Sequence, residues 1–312
     1  MGNQRLRVFA PATVANVGPG FDVLGLALSS PGDVLEAELT ESPGVDIIEI
    51  TGEGGRLSRD SAKNVVSLSA ADVLRRAGST QGLRLRLHKQ MPLASGLGSS
   101  GASSAAGAVA ANEILGRPLS PREVVLSAMA GECAASGTPH ADNVAPSVLG
   151  GIVLVRSYDP FEIVQLPVPN DLRVAVVHPH CQVSTAEARR LVKDRKYGLD
   201  VIVPNSGSVA SLVAALYRND LPLLGRSIDD RIIEPLRATL IPGFAAVKHA
   251  AFSAGALGCS IAGSGPSVFA FADEDAAAQR IGAEMQAAFR SAAGLDSDLF
   301  WGSVSTQGAH VI

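Results

Sequence analysis

Along the first half of the chain the apolar positions alternate between two periods. Leu83, Leu85 and Leu87 interleave with Arg84, Arg86 and His88, the period of a strand with one buried face, and residues 6–10, 34–39 and 45–50 carry shorter runs of the same kind. Between them, Val66, Ala70, Val73 and Ala77 recur on one helical face over 62–77. That segment follows Asp60 and Ser61, stops at Gly78 and places Arg75 and Arg76 in its last turn, as a helix C-terminus favours. Ser120-Pro121-Arg122-Glu123 joins a capping box to a proline at the first helical position, so a helix should run from there to about Ala134.

The second half predicts a strand over 172–178, helices over 185–192, 208–218 and 243–254, strands over 259–262 and 267–272, a helix over 274–290 and a strand over 300–305. This order approximates a split βαββαβ unit with an inserted helix pair. Pro160, Pro167 and Pro169 mark a join within 158–170, which divides the chain into units of 1–165 and 166–312.

Composition then narrows the class. With 312 residues, 46% of them hydrophobic, the chain can fill one large core or two ordinary ones. Only 18% of residues are charged and the net charge is −4, so no nucleic-acid partner is expected. Residues 90–112 form an uncharged run of 23, long enough to span a bilayer, but sixteen of them are Gly, Ser or Ala. Such a segment lacks the transfer free energy for insertion, so no membrane association is expected. Met1 to Arg7 has charges but no apolar stretch behind it, because Pro11, Asn16, Gly18, Pro19 and Gly20 break up the next residues. A cytoplasmic protein is the expectation. Cys133, Cys181 and Cys259 lie far apart with no CxxC, which predicts reduced thiols, with Cys133 and Cys259 packed inside.

Three loops carry candidate chemistry. The strand at 83–88 is followed by Pro92-Leu93-Ala94-Ser95-Gly96-Leu97-Gly98-Ser99-Ser100-Gly101-Ala102, then an alanine-rich stretch to about Leu115. Strand, Gly/Ser loop, helix is the order that aims free backbone N–H groups and a positive helix end at an anion. There is no GK[ST], so a Walker A loop is absent; Gly96-Leu97-Gly98-Ser99-Ser100-Gly101 has the spacing G-x-G-x-x-G, which taken alone is a weak sign of a dinucleotide fold. The plain alternative is a tight turn into a close-packed helix. The second loop is Ala10 to Asp22, with Asn16 and Gly18-Pro19-Gly20 inside it; the third is Gly263-Ser264-Gly265-Pro266 between two strands. Each reads alone as a turn.

Together, the N-terminal segment, the P-x-x-x-G-L-G-S-S loop and the C-terminal glycine loop resemble the GHMP kinase superfamily of galactokinase, homoserine kinase, mevalonate kinase and phosphomevalonate kinase. Within it, Pro139-His140-Ala141-Asp142-Asn143, Ala15-Asn16, Gly20-Phe21-Asp22, Ser184-Thr185-Ala186-Glu187-Ala188-Arg189 and Glu234-Pro235-Leu236-Arg237 are similar to the homoserine kinase branch. The resemblance implies an α+β two-domain fold, with an N-terminal domain like domain 2 of ribosomal protein S5 and a ferredoxin-like C-terminal α/β domain. It also implies ATP-dependent phosphorylation of L-homoserine and assembly as a homodimer.

By the same resemblance, the phosphates lie on the backbone of residues 92–102, Mg²⁺ between the Ser100 hydroxyl and Glu132, and the adenine near Asn64. Asp22 would meet the ammonium of the amino acid, Arg189 and Arg237 its carboxylate, and Asn16, His140, Asn143, Thr185 and Gly263, Ser264 and Gly265 its remaining groups. Asn143 stands where mevalonate kinases carry an aspartate base. An amide accepts no proton, so the resemblance implies transfer without a protein base, with Asn16, Asp142 and Asn143 beside the reacting hydroxyl and Asp142 the second choice as base.

Each residue also has a bland reading: a solvated helix carboxylate for Glu132, helix-start polarity for Asn64, a surface group for a lone His or Arg. His178-Pro179-His180 lacks a third ligand at a supporting distance. Only five lysines occur and none lies in the phosphate loop, which suits a cradle of main chain. Alternative functions are a kinase for another small alcohol such as mevalonate, and a non-catalytic sensor on the same fold. Asp22 argues against mevalonate, which has no ammonium, and intact Ser100 and Glu132 argue against a sensor.

Overall fold

The computed structural model describes residues 4–137 and 139–312; residues 1–3 of the charged N-terminus lie outside it. The first half contains strands β1 (Arg5–Ala15), β2 (Leu24–Thr40) and β3 (Gly44–Thr51), helix α1 (Val65–Arg76), strand β4 (Gly82–His88), helices α2 (Ser99–Ile114), α3 (Pro121–Ser136) and α4 (Ala141–Leu149), and the hairpin β5 (Ile152–Tyr158) and β6 (Phe161–Leu166). The second half contains β7 (Arg173–Pro179), α5 (Thr185–Val192), α6 (Leu199–Arg218), α7 (Leu221–Arg226), α8 (Glu234–Arg237), α9 (Phe244–Ser253), β8 (Gly258–Ile261), β9 (Val268–Ala272), α10 (Asp275–Ala293), β10 (Ser297–Ser303) and β11 (His310–Val311).

The first sheet runs β11-β1-β2-β4-β3, and the β5–β6 hairpin branches from β2. Strand β2 serves both parts: Leu24–Leu26 pair with β5, and Val34 to Thr40 pair with β4. On β4, Leu83, Leu85 and Leu87 point into the core, whereas Arg84 and Arg86 stand opposite Glu38 and Glu36 on the other face, as the alternation predicts. The second sheet is ordered β10-β7-β9-β8, all neighbours antiparallel, with α10 in the crossover to β10. That is the strand order of a split βαββαβ unit whose first helix is α9, with helices α5 to α8 inserted between its first strand and that helix. The last strand, β11, returns to the first sheet, where Val311 pairs with Val8.

The predicted helices form, with shifted ends. α3 has its capping box, Ser120 and Glu123 each serving the other's backbone N–H, and ends at Gly137 in the left-handed region. α1 starts three residues after the pattern begins, because Asn64 is its N-cap and accepts from the Val66 N–H. α6 begins at Leu199 rather than 208, running through Pro204. A proline in the second turn forfeits one backbone bond and leaves the rest of the helix to form. Helices α4, α7 and α8 and the β5–β6 hairpin fall where proline and glycine suggest loops.

The alanine-rich α2 is buried on every side. A Cβ on Gly107 would strike the Val66 carbonyl of α1, and one on Gly131 would lie 2.8 Å from Ser104 Oγ. Small residues therefore let α1, α2 and α3 approach backbone to backbone beneath the first sheet. Cys259 is buried as expected, but Cys133 is exposed, because the buried face of α3 at this turn is taken by Glu132 and Met129.

Candidate functional site

The three loops converge. Thr13 N–H donates to the Leu97 carbonyl (3.0 Å), Gly263 N–H to Ala15 (3.2 Å) and Ser267 N–H to Ser95 (3.1 Å), so β1, the Gly/Ser loop and the β8–β9 turn are laced by main chain. Gly96, at φ 82°, lies so close to the Ala262 and Gly265 carbonyls that a Cβ would collide with both. Asn16, Asp22, Ala94 and His140 also adopt positive φ around this space, backbone conformations that tertiary contacts must hold in place. A cleft of about 420 Å³ opens between the loops.

On one wall, α2 begins after its left-handed N-cap Gly98 and its first residues, Ser99, Ser100 and Gly101, line the cleft. The Ser100 hydroxyl donates to Glu132 of α3, which is 3% exposed. Burial raises the Glu132 carboxyl above its ordinary range, opposed by the Ser100 hydrogen bond and by Lys89. Beneath the loop, Lys89 Nζ donates to Asp33, to the Ser99 carbonyl (2.9 Å) and to Ser103 Oγ (3.0 Å). Lys89 fastens the first turn of α2 from below, its charge paired with buried Asp33, and it does not itself line the cleft. Sequence reasoning passed over Lys89 because it precedes the loop, and its partner Asp33 lies 56 residues away on β2.

The opposite wall carries the charged cluster. Arg189 of α5 grips Asp22 through Nη1 and Nη2 at 3.0 and 2.9 Å, and Nη2 lies 3.3 Å from His140 Nδ1. Burial and then Arg189 push the His140 imidazole below its ordinary range, so it is neutral at pH 7. Arg237 Nη1 donates to the Gly263 carbonyl (2.6 Å) and its guanidinium lies 4.9 Å above the Phe21 ring. Asn16 donates to that same carbonyl (2.9 Å) and accepts from the Asp22 N–H (3.1 Å), so its amide positions both loops. Thr185 lies 3.4 Å from Ser264 across the cleft mouth.

Between the walls stand Asp142 and Asn143, in the first turn of α4. Asn143 Oδ1 accepts from Thr13 Oγ1 (2.8 Å), a partner that sequence reasoning did not single out although it sits in the N-terminal segment. Asp142 is 2% exposed and its Oδ1 has no hydrogen-bond partner. Burial, reinforced by Asp22, raises its carboxyl to about 7.

Most of the expected residues therefore line one cleft: Asn16, Asp22, the 94–96 and 98–101 stretch, Glu132, His140, Asp142, Asn143, Thr185, Arg189, Arg237, Gly263 and Ser264. Leu97 and Ala102 are buried behind it, and Pro92, Leu93 and Gly265 support it without lining it. Asn64 stands apart, its amide used for capping α1 and for a 2.7 Å bond to the Ser58 carbonyl. His178 pairs with Ser267 (3.1 Å) and His180 with Asp298 (3.1 Å), both outside the cleft.

The arrangement matches known proteins. Family models described as the N-terminal and C-terminal domains of GHMP kinases match residues 64–151 and 212–291. Homoserine kinase from Chloroherpeton thalassium is 45% identical over 314 residues, covering 97% of this chain and 98% of its own. Its counterpart from Chlorobium phaeobacteroides is 46% identical over 315 residues, covering 97% and 98%. The crystal structure of homoserine kinase from Cytophaga hutchinsonii superposes with a TM-score of 0.96 at 49% identity, covering 100% of this chain and 98% of that one. With the loops, the cleft and these relatives in agreement, the chain belongs to the homoserine kinase family of the GHMP kinases.

Proposed function

We propose that this enzyme transfers the γ-phosphoryl group of ATP to the hydroxyl of L-homoserine, giving O-phospho-L-homoserine and ADP. The observation that carries the substrate is the Asp22–Arg189 ion pair in the cleft wall, beside Arg237. A zwitterionic amino acid offers that pair an ammonium and a carboxylate, and the two partners can divide between them. Arg189 then meets the ligand carboxylate through the fork it now offers Asp22, and Asp22 meets the ammonium. A neutral His140, Asn16, Thr185, Ser264 and the Gly263 backbone surround the same space and orient the side-chain hydroxyl.

The triphosphate fits the first turn of α2, where free N–H groups and the helix dipole favour an anion and Lys89 anchors the Ser99 carbonyl from below. Ser100 and Glu132 fit Mg²⁺: a hydroxyl meets a carboxylate whose burial is relieved by a cation, and phosphates and water complete a hard-oxygen set. That ion would neutralise charge on the transferring group. The proposed division of labour places nucleotide on the unit of 1–165 and shares the amino acid with 166–312. The net charge of −4 supports action without nucleic acid, the small-residue composition of 90–112 supports a cytoplasmic protein, and the family resemblance supports a homodimer.

Positioning supplies the rate, and the hydroxyl proton passes to a phosphate oxygen or to water. A second reading gives that proton to Asp142. It is favoured by the unpartnered Oδ1 and by a carboxyl near 7, the range in which a general base works best. The test of the main reading is ADP release with L-homoserine, mevalonate and galactose as acceptors. Turnover on mevalonate or galactose without turnover on homoserine overturns it.

A further inference from the structure

Among the described residues, nothing packs on one face of helix α6. Leu212, Ala215 and Leu216 are buried against the body of the protein. On the opposite side Leu199, Val203 and Tyr217 are 74%, 62% and 63% exposed, and Ile202 flanks them. Leu199, Val203, Ser206, Ala210, Ala214 and Tyr217 repeat at intervals of three or four, so they form a single stripe along the helix, bulky at both ends and small in the middle. The only charged residues of α6 are Asp200 and Arg218. Among the described residues neither forms an ion pair.

We propose that this stripe is a seam between two copies of the chain, with α6 packed antiparallel on α6 of the second copy across a two-fold axis. The charges choose that occupant. Asp200 and Arg218 are eighteen positions apart, which at about 3.6 residues per turn is five full turns, so both lie on the same flank of the stripe. In a two-fold antiparallel pair, a group on one flank near the start of one helix meets the group on the same flank near the end of the other. Asp200 of each copy therefore meets Arg218 of its mate, at both ends of the seam. The small side chains at Ser206, Gly207 and Ala210 lie near the axis and allow close helix approach, while Leu199 and Tyr217 of opposite copies cover one another. A lipid surface offers each charge a headgroup but not this reciprocal pairing set by a two-fold axis.

The seam bears on the cleft. On the inner side of α6, Asn205 donates to the Pro19 carbonyl (3.5 Å) and accepts from the Arg231 N–H (3.1 Å). A second copy braces the helix that holds the loop carrying Phe21 and Asp22.

This inference rests on the two-copy reading above and locates it. Sedimentation velocity of the full chain over a wide concentration range should show a dimer that dissociates on dilution, since one helix pair buries less than the roughly 1,600 Å² of a standard interface. Val203→Glu with Ala210→Glu should leave a monomer at every concentration, with its circular dichroism spectrum and a cooperative thermal transition reporting that it is folded. Asp200→Arg and Arg218→Asp should each weaken the dimer several-fold, and the two together should restore it. A dimer indifferent to all of these variants overturns the α6 seam while leaving two-copy assembly standing, whereas a wild type that is monomeric throughout overturns both. Binding of the wild type to phosphatidylcholine vesicles, abolished by Val203→Glu, reassigns the face to a lipid surface and also overturns the seam.

Discussion

Arg189 and Asp22, 167 residues apart in sequence, meet through two parallel hydrogen bonds of 3.0 and 2.9 Å in the wall of the cleft. The pair is about one-third exposed, so its value to stability is small, and its importance is as a matched set of charges for an amino acid. Arg189→Lys keeps the charge and loses the fork. The expected result is a KM for L-homoserine raised about 10- to 100-fold with a smaller change in kcat and an unchanged KM for ATP. An equal rise in both KM values would place Arg189 outside the amino-acid site.

Asp142 makes stability depend on pH. Its carboxyl is raised from 3.8 to about 7 in the fold, so between those values the native state keeps a proton that the unfolded chain has released. Stability therefore falls as pH rises from about 4 to about 7 and levels off above, by a few kcal/mol for a shift of this size. Thermal denaturation of wild type and Asp142→Asn across this range checks it: the variant should lack most of the slope. The same variant decides the proton's route, because a kcat loss of about 10³-fold assigns the base to Asp142 and a loss under about tenfold excludes it.

Ser100→Ala and Glu132→Gln should each lower kcat by about 10²-fold or more and raise the Mg²⁺ concentration needed for half-maximal rate. Both side chains meet in the cleft wall, so the two losses should be less than additive in the double variant. Magnesium titrations of initial rate report the shift, and wild-type magnesium dependence in both variants would remove them from the metal site.

Lys89→Met should destabilise the protein by about 3–5 kcal/mol, because it strands the buried carboxylate of Asp33. Urea denaturation measures the loss. Pairing the change with Asp33→Leu should recover much of it, whereas weaker ATP binding should persist in the double variant, since the Ser99 carbonyl has lost its anchor.

Much of this protein is legible in order along the chain. The β4 alternation, the Ser120–Glu123 box and the Gly96 to Ser100 loop are local statements, in which period, cap and glycine content decide the outcome within a few residues. The candidate site was legible as motifs, since most of its residues sit in short segments with a family pattern. What escaped was set by distance. Thr13 is tied to Asn143 across 130 residues and Lys89 to Asp33 across 56, and nothing beside either residue announces its partner. Helix α4 was not among the expected elements: it is short, contains Pro146, and forms with His140 held at φ 32° by its surroundings.

The sequence by itself determined the local alphabet: strand faces, helix caps, a phosphate-type loop, and an uncharged run of small residues where α2 had to pack against three helices and a sheet. Tertiary structure alone decided what those pieces mean electrically. Burial turned Asp142 into a carboxyl that titrates near 7, set the cation of Lys89 under the phosphate loop and closed Arg189 on Asp22. The reason is that backbone preference acts over a turn or two, whereas desolvation and charge pairing depend on what the whole fold brings within a few ångströms.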